Sequence, residues 1–216
     1  MTAPLDLDPG TTALVLVDLQ AGVLGMPLAP LSGDEVAAAA RELAARARLA
    51  GVPVVLVTVA FPGSGGPAVD ASGPPMPEVQ PPGWDQIVEG VAEEGDLRVV
   101  KAGWGAFSST GLEALLRERG IETIVLAGVA TNFGVEGTAR EAAARGFGVV
   151  VVSDATSSVS AAHHDFSLTQ ILPGISRVRT AAEVVRGLGR PRRDRPGAGG
   201  LPDPFPRRTS SCLKPA

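Results

Sequence analysis

The chain has 216 residues, 44% of them hydrophobic and 19% charged, with a formal net charge of −4. That length and apolar content suffice for one substantial core and call for no second domain. The mild, scattered charge excludes a nucleic-acid footprint and no apolar run is long enough to span a membrane, so a small-molecule partner is expected.

The opening Met1-Thr-Ala-Pro-Leu-Asp-Leu-Asp8 lacks the basic and apolar stretches of a signal peptide, and a cytoplasmic location is expected. The one cysteine, Cys212, lies in a polar C-terminal stretch, which rules out an intrachain disulfide and reads as an incidental thiol. Of the 19 basic residues only Lys101 and Lys214 are lysine, so Lys101 is the sole lysine of the part expected to fold.

Residues 11–17 form an apolar, β-favouring run closed by Asp18, the pattern of a central strand buried on both faces. An acid at the carboxyl end of such a strand is more than surface charge. Residues 19–33 are rich in Gly and Pro, and Ser32-Gly-Asp-Glu35 is a capping box opening an Ala-rich helix to about residue 50. Gly51 and Pro53 stop it. A second buried strand covers 54–59, and 60–83 is a long Pro-, Gly- and Ser-rich connection of the kind that serves as a lid, a partner surface or a mobile loop.

A short helix over 84–94 and a third strand over 98–101 follow, then a helix capped by Thr110-Gly-Leu-Glu113 and ended by Gly120. The fourth strand, 121–127, breaks at Gly128, and a helix runs over 131–145. The fifth strand, 147–152, ends at Ser153-Asp154. A helix over 161–172, a sixth strand over 175–178 and a helix capped by Thr180-Ala-Ala-Glu183 and running to Leu188 complete the pattern. Six strands alternating with helices predict an α/β fold, a three-layer, doubly wound, parallel six-stranded sheet. Residues 1–188 make that domain, and the Pro-, Gly- and Arg-rich residues 189–216 read as a disordered tail.

In an open parallel sheet the ligand crevice lies at the carboxyl ends of the strands. Asp18, Lys101 and the turn from Gly128 to Gly134 all follow strands, so they share that edge. A strand-to-helix turn aims N–H groups and a positive helix end at one spot, which suits an anion or a developing oxyanion. Small residues at Gly128, Ala130 and Gly134 let a ligand approach. Burial raises the pKa of Asp18 and a neighbouring Lys101 lowers it, and the sequence leaves the winner open. Lys101 is a point charge suited to polarising a substrate oxygen or orienting Asp18. Asn132, the only asparagine, either starts the helix or orients a substrate. Phe61, Trp104 and Phe107 are pocket walls or core. His163 and His164 diverge by about 100° on a helix, which is poor geometry for a shared metal, and read as structural or capping residues.

Three stretches, Thr11-Thr-Ala-Leu-Val-Leu-Val-Asp18-Leu-Gln20, Val99-Val-Lys101-Ala-Gly-Trp104 and Val125-Leu-Ala-Gly-Val-Ala-Thr-Asn-Phe-Gly-Val-Glu-Gly-Thr-Ala-Arg140, resemble the isochorismatase-like cysteine hydrolases. The resemblance implies a catalytic triad of Asp18, Lys101 and a nucleophile at position 134, where most members carry cysteine and this chain carries Gly134. It further implies a cis peptide before Ala130, an oxyanion hole built from the N–H groups of Ala130 and Gly134, and a homodimer or homotetramer. Gln20 fits the family's Asp-x-Gln pattern as a loop-holding amide or a substrate contact. The metal-binding nicotinamidase branch uses histidines after the second strand; Val59-Ala-Phe61-Pro-Gly has none, so no metal or other cofactor is expected.

True isochorismatases also carry glycine at the nucleophile position, and there the aspartate protonates a vinyl ether. They differ at Ala130, where they have tyrosine, and near Phe61, where they have glutamine. A substrate other than isochorismate is therefore expected. The leading expectation is a cysteine-independent hydrolase of a small molecule with Asp18 as general acid/base. Behind it stand an amide or ester hydrolase using Asp18-activated water and a binding homologue without turnover.

Overall fold

The computed structural model describes residues 4–60, 70, 80–108 and 110–188. Phe61, most of the 60–83 connection, and the 189–216 stretch with Cys212 lie outside these residues. Six strands, Thr12–Val17 (β1), Val54–Val59 (β2), Leu97–Lys101 (β3), Thr123–Val129 (β4), Gly148–Ser157 (β5) and Arg177–Arg179 (β6), form one sheet in the order β3-β2-β1-β4-β5-β6. Every neighbouring pair is parallel. This is the expected doubly wound α/β architecture.

Side chains alternate across each strand, so the apolar runs feed two cores. Leu14, Leu16, Leu56, Val125 and Val150 pack on one face with Val36, Ala40 and Leu43 of Gly33–Leu49 and with Val184 of Ala181–Leu188. Val15, Val17, Val57, Leu126 and Val151 pack on the other with Leu112 and Leu116 of Leu112–Arg117 and with Ala139 and Ala142 of Glu136–Ala144. In chain order the helices are α1 (Ala21–Leu24), α2 (Gly33–Leu49), α3 (Leu112–Arg117), α4 (Glu136–Ala144), α5 (Ala161–Phe166) and α6 (Ala181–Leu188). Among the described residues no helix is long and apolar enough to cross a membrane.

The capping box at Ser32 forms with both of its bonds, and Thr180 and Glu183 exchange the same reciprocal pair ahead of α6. The expected cap at Thr110 does not form. Its hydroxyl donates to the Ala106 carbonyl and accepts from the Leu112 N–H, so α3 starts after Gly111. The helix expected over 84–94 is also absent. There the chain spends its backbone groups on the loop after β1, with the Ala21 N–H donating to the Gln86 carbonyl, Gly22 to Trp84 and Val88 to Leu19. Tertiary pairing has outcompeted local propensity.

The fourth strand does not break at Gly128 but runs on to Val129, pairing Val17 with Gly128. Gly128 sits at φ +117, and a Cβ there would lie 2.0 Å from the Val17 carbonyl oxygen. Only glycine permits this approach. The register between β4 and β5 shifts at the same point, and β5 reaches Ser157, beyond the expected end at 152.

Candidate active site

β1 and β4 are neighbours at the position where the strand order reverses, so their carboxyl ends open the crevice of the sheet. Asp18 follows β1 directly and turns aside with φ 54, a left-handed conformation that aspartate tolerates better than most side chains. The residue is 6% exposed. Lys101 closes β3, two strands away, and its ammonium lies 2.8 Å from Asp18 Oδ2. That ammonium also donates to the Gly103 carbonyl at 3.1 Å. Lys101 is 2% exposed, so the only lysine of the described chain is buried against the only acid at the crevice end of β1.

Two effects act on Asp18 in opposite directions. Burial, the larger, raises its pKa from 3.8 to about 6, against the lowering charge and hydrogen bond of Lys101. Oδ2 is occupied by Lys101, whereas Oδ1 is buried with no hydrogen-bond partner among the described residues. One oxygen is thus held, and the other is left to exchange a proton.

The third element is the turn after β4. The Val129–Ala130 peptide is cis, and the chain enters a wide π-helical turn, Thr131–Val135, before α4. The Ala130 carbonyl accepts from both Phe133 and Val135 N–H groups. Widening the turn in this way brings Gly134 against the carboxylate. A Cβ built on Gly134 would stand 3.1 Å from Asp18 Oδ2, 3.1 Å from Val17 Cγ1 and 3.2 Å from the Val129 carbonyl oxygen. Asp18, Lys101 and Gly134 therefore meet at one point, joined from three strands.

The other candidates separate. The Gln20 amide is completely buried, its oxygen accepting from the Val59 N–H and its nitrogen donating to the Val59 carbonyl. It ties the end of β2 to the loop after β1, the structural of the two roles open to it. Phe107 is buried against Phe147, with the Arg145 guanidinium over its ring, and belongs to the core rather than to a pocket wall. Asn132 accepts a hydrogen bond from Ser158 Oγ. Trp104, 60% exposed, stacks on Phe133, 37% exposed, with ring centroids 4.6 Å apart. The two rings flank the site in sequence, one beside Gly103 and one beside Gly134.

Of the two adjacent histidines, His163 is exposed. His164 is buried, with Nδ1 2.8 Å from Thr131 Oγ1, and burial lowers its pKa. Neither Thr131 nor Ser158 stands out in the sequence as a site residue, because a buried hydroxyl leaves no periodic or charge signal.

The isochorismatase domain model matches residues 12–183. The chain belongs to the isochorismatase family. It is 44% identical to the isochorismatase family protein YecD of Escherichia coli O157:H7, over 85% of this chain and all of that one. An isochorismatase family protein from Burkholderia thailandensis superposes with a TM-score of 0.77 at 42% identity, covering 86% of this chain and 99% of its own. The ureidoacrylate amidohydrolase RutB of Methylobacterium radiotolerans is 32% identical over 90% of this chain and 86% of its own.

Proposed function

We propose that this isochorismatase-family protein hydrolyses a small molecule without a cysteine nucleophile, with Asp18 as its general acid/base. The observation that carries the reading is the meeting of the buried Asp18–Lys101 pair with Gly134 at the sheet's reversal point. A carboxyl with a pKa of about 6 can donate or accept a proton near neutrality, the condition for efficient acid–base catalysis. Lys101 fixes the carboxylate's orientation and adds positive charge beside the reacting centre. The N–H groups of Ala130 and Gly134 are the proposed oxyanion donors, and exposed Trp104 is the proposed substrate contact. Gly134 supplies no nucleophilic side chain, and a Cβ there would press on Asp18 Oδ2, Val17 Cγ1 and the Val129 carbonyl oxygen at 3.1–3.2 Å.

Two reaction types fit the site. In the first, protonated Asp18 donates to the unsaturated carbon of an enol ether, and water then adds to the resulting cationic carbon and expels the alcohol. In the second, ionised Asp18 takes a proton from water as it attacks an amide or ester carbonyl; the likeness to an amidohydrolase favours keeping this reading. The pH–rate profile separates them. As an acid, Asp18 gives a rate that falls as pH rises through about 6, whereas as a base it gives a rate that rises through the same point.

The test is turnover of a panel of enol ethers, amides and esters by wild type, Asp18→Asn and Cys212→Ser, each with and without iodoacetamide. Activity abolished by Asp18→Asn and untouched by alkylation is the expected result. Full activity in Asp18→Asn, or alkylation that inactivates wild type and spares Cys212→Ser, overturns the mechanism. We also take the protein to be a homodimer or homotetramer, which light scattering at micromolar concentration checks directly; a single-chain mass refutes it.

A further inference from the structure

Two residues of the turn that carries Gly134, and the first residue of α4 after it, are tied by side chains to one later segment. Thr131 Oγ1 hydrogen-bonds His164 Nδ1 at 2.8 Å, Asn132 Oδ1 accepts from Ser158 Oγ at 2.5 Å, and Glu136 Oε2 accepts from Ser167 Oγ at 2.6 Å. The same segment is fastened to the loop that follows Asp18. Ser158 and Ala29 exchange both backbone hydrogen bonds, and Ser157 Oγ donates to the Leu31 carbonyl while accepting from the Leu31 N–H. Thr131, Ser157, Ser158, His164 and Ser167 are all buried. Satisfied polar networks of this kind specify one arrangement, since a buried group that loses its partner is costly.

We propose that residues 157–167 form a clamp that holds the Gly134 turn against Asp18, and that His164, acting through Thr131, is its central positioning residue. The inference rests on the site assignment above for what the turn does, but the clamp itself is defined by geometry alone. His164 touches no reacting group in this scheme. Its ring fixes the first residue of the π-helical turn, three positions before Gly134, and the Ser158 and Ser167 ties fix the turn on either side. Burial lowers the His164 pKa and so favours the neutral ring against the Thr131 hydroxyl.

A consequence is measurable without any substrate. Burial is the largest cause of the raised Asp18 pKa, and the Gly134 backbone is part of what buries it. Loosening the turn admits water, stabilises the carboxylate and lowers the Asp18 midpoint toward 3.8. The titration is read by carbon-13 NMR of labelled aspartate carboxyls, with the Asp18 signal assigned by its loss in Asp18→Asn.

Thr131→Val keeps the shape and removes the hydroxyl. It should lower the Asp18 midpoint by about half a pH unit or more and speed hydrogen exchange of the 130–136 amides roughly ten-fold, leaving the β1 and β4 amides protected. Thr131→Ser, which keeps the hydroxyl, and His164→Asn, whose amide can accept or donate near the Nδ1 position, should hold both values close to wild type. Ser158→Ala cuts the Asn132 tie with a smaller disturbance and supplies the same two measurements should the valine variant fail to fold. An unchanged Asp18 midpoint in a folded variant overturns the clamp, as does exchange that rises evenly across the sheet. Loss of the Asp18 role in catalysis would appear in the turnover panel instead and would leave these titrations as they are.

Discussion

Asp18 ionises at about pH 6 in the fold, against 3.8 for an ordinary aspartate, and that difference makes stability depend on pH. The folded state holds the proton more tightly, so the contribution is fully present below pH 3.8 and is lost as pH rises through about 6. The loss amounts to about 3 kcal/mol. It is isolated by comparison with the double variant Asp18→Asn/Lys101→Met, which removes the titration without stranding a buried ammonium. Denaturant melts should show the advantage of wild type over the double variant shrinking by about that much between pH 4 and pH 8. An advantage that grows with pH would mean the Lys101 attraction outweighs burial. Gly134 makes a second prediction at this scale. Its backbone lies outside the left-handed region, so a side chain there is opposed by neighbours rather than by φ. The neighbours are the Asp18 carboxylate, Val17 Cγ1 and the Val129 carbonyl, and the last, being backbone, gives way least. Gly134→Ala is expected to fold, to lose about 1–3 kcal/mol through overpacking, and to lose at least about ten-fold in turnover because the methyl displaces the Asp18 carboxylate from its position. A folded Gly134→Ala with unchanged turnover would place the reacting centre elsewhere.

At the scale of elements, β4 and its turn show where a single glycine decides the geometry. Gly128 lets β4 pass within contact of the Val17 carbonyl, and the β4–β5 register shifts beside it. A methyl at Gly128 would meet backbone 2.0 Å away at φ +117. Gly128→Ala is expected to cost at least about 3 kcal/mol, far more than the same change at Gly174, where a Cβ meets nothing within 4 Å. Equal losses at the two positions in thermal melts would refute the close approach. This strand also shows how far the sequence could be read. Apolar run length and β-branched content located β1, β2 and β4, and the Ser32 and Thr180 capping boxes located α2 and α6, because each signal is local. Asp18, Lys101 and the glycine-rich turn were legible as strand-end residues on one edge of the sheet, whereas their meeting was implied only by the family resemblance. The break expected at Gly128 failed because glycine marks either a turn or a close approach, and only the neighbouring strand distinguishes them. The helix expected over 161–172 ends as α-helix at Phe166 and passes into a π-helical turn, Ser167–Ile171, where Ser167 is drawn to Glu136. The Thr131–His164 and Ser158–Asn132 pairs join residues 33 and 26 positions apart and could not be read from either stretch alone.

The whole molecule is two cores that share the same strands, and this sharing governs how it should unfold. Val125 and Leu126 are adjacent in β4, yet one packs with α2 and α6 and the other with α3 and α4. Neither core can therefore be lost without disordering a strand that the other requires. The site depends on the same unity, since Asp18, Lys101 and Gly134 arrive from β1, β3 and β4. Leu116 tests the coupling. It is fully buried in the core on the α3 side, whereas Trp84 is buried in the core on the α2 side. With Trp104→Phe as background, Trp84 is the only tryptophan and its fluorescence reports the α2 side alone. Leu116→Ala leaves a cavity costing about 2–5 kcal/mol, which for a chain of this size lowers Tm by roughly 10 °C. The Trp84 transition should move by the full amount and coincide with the far-ultraviolet circular dichroism transition. A Trp84 transition that stays in place while the circular dichroism splits into two steps would show that the two faces unfold separately, and a site assembled from three strands would then lose its geometry well before the α2 side melts.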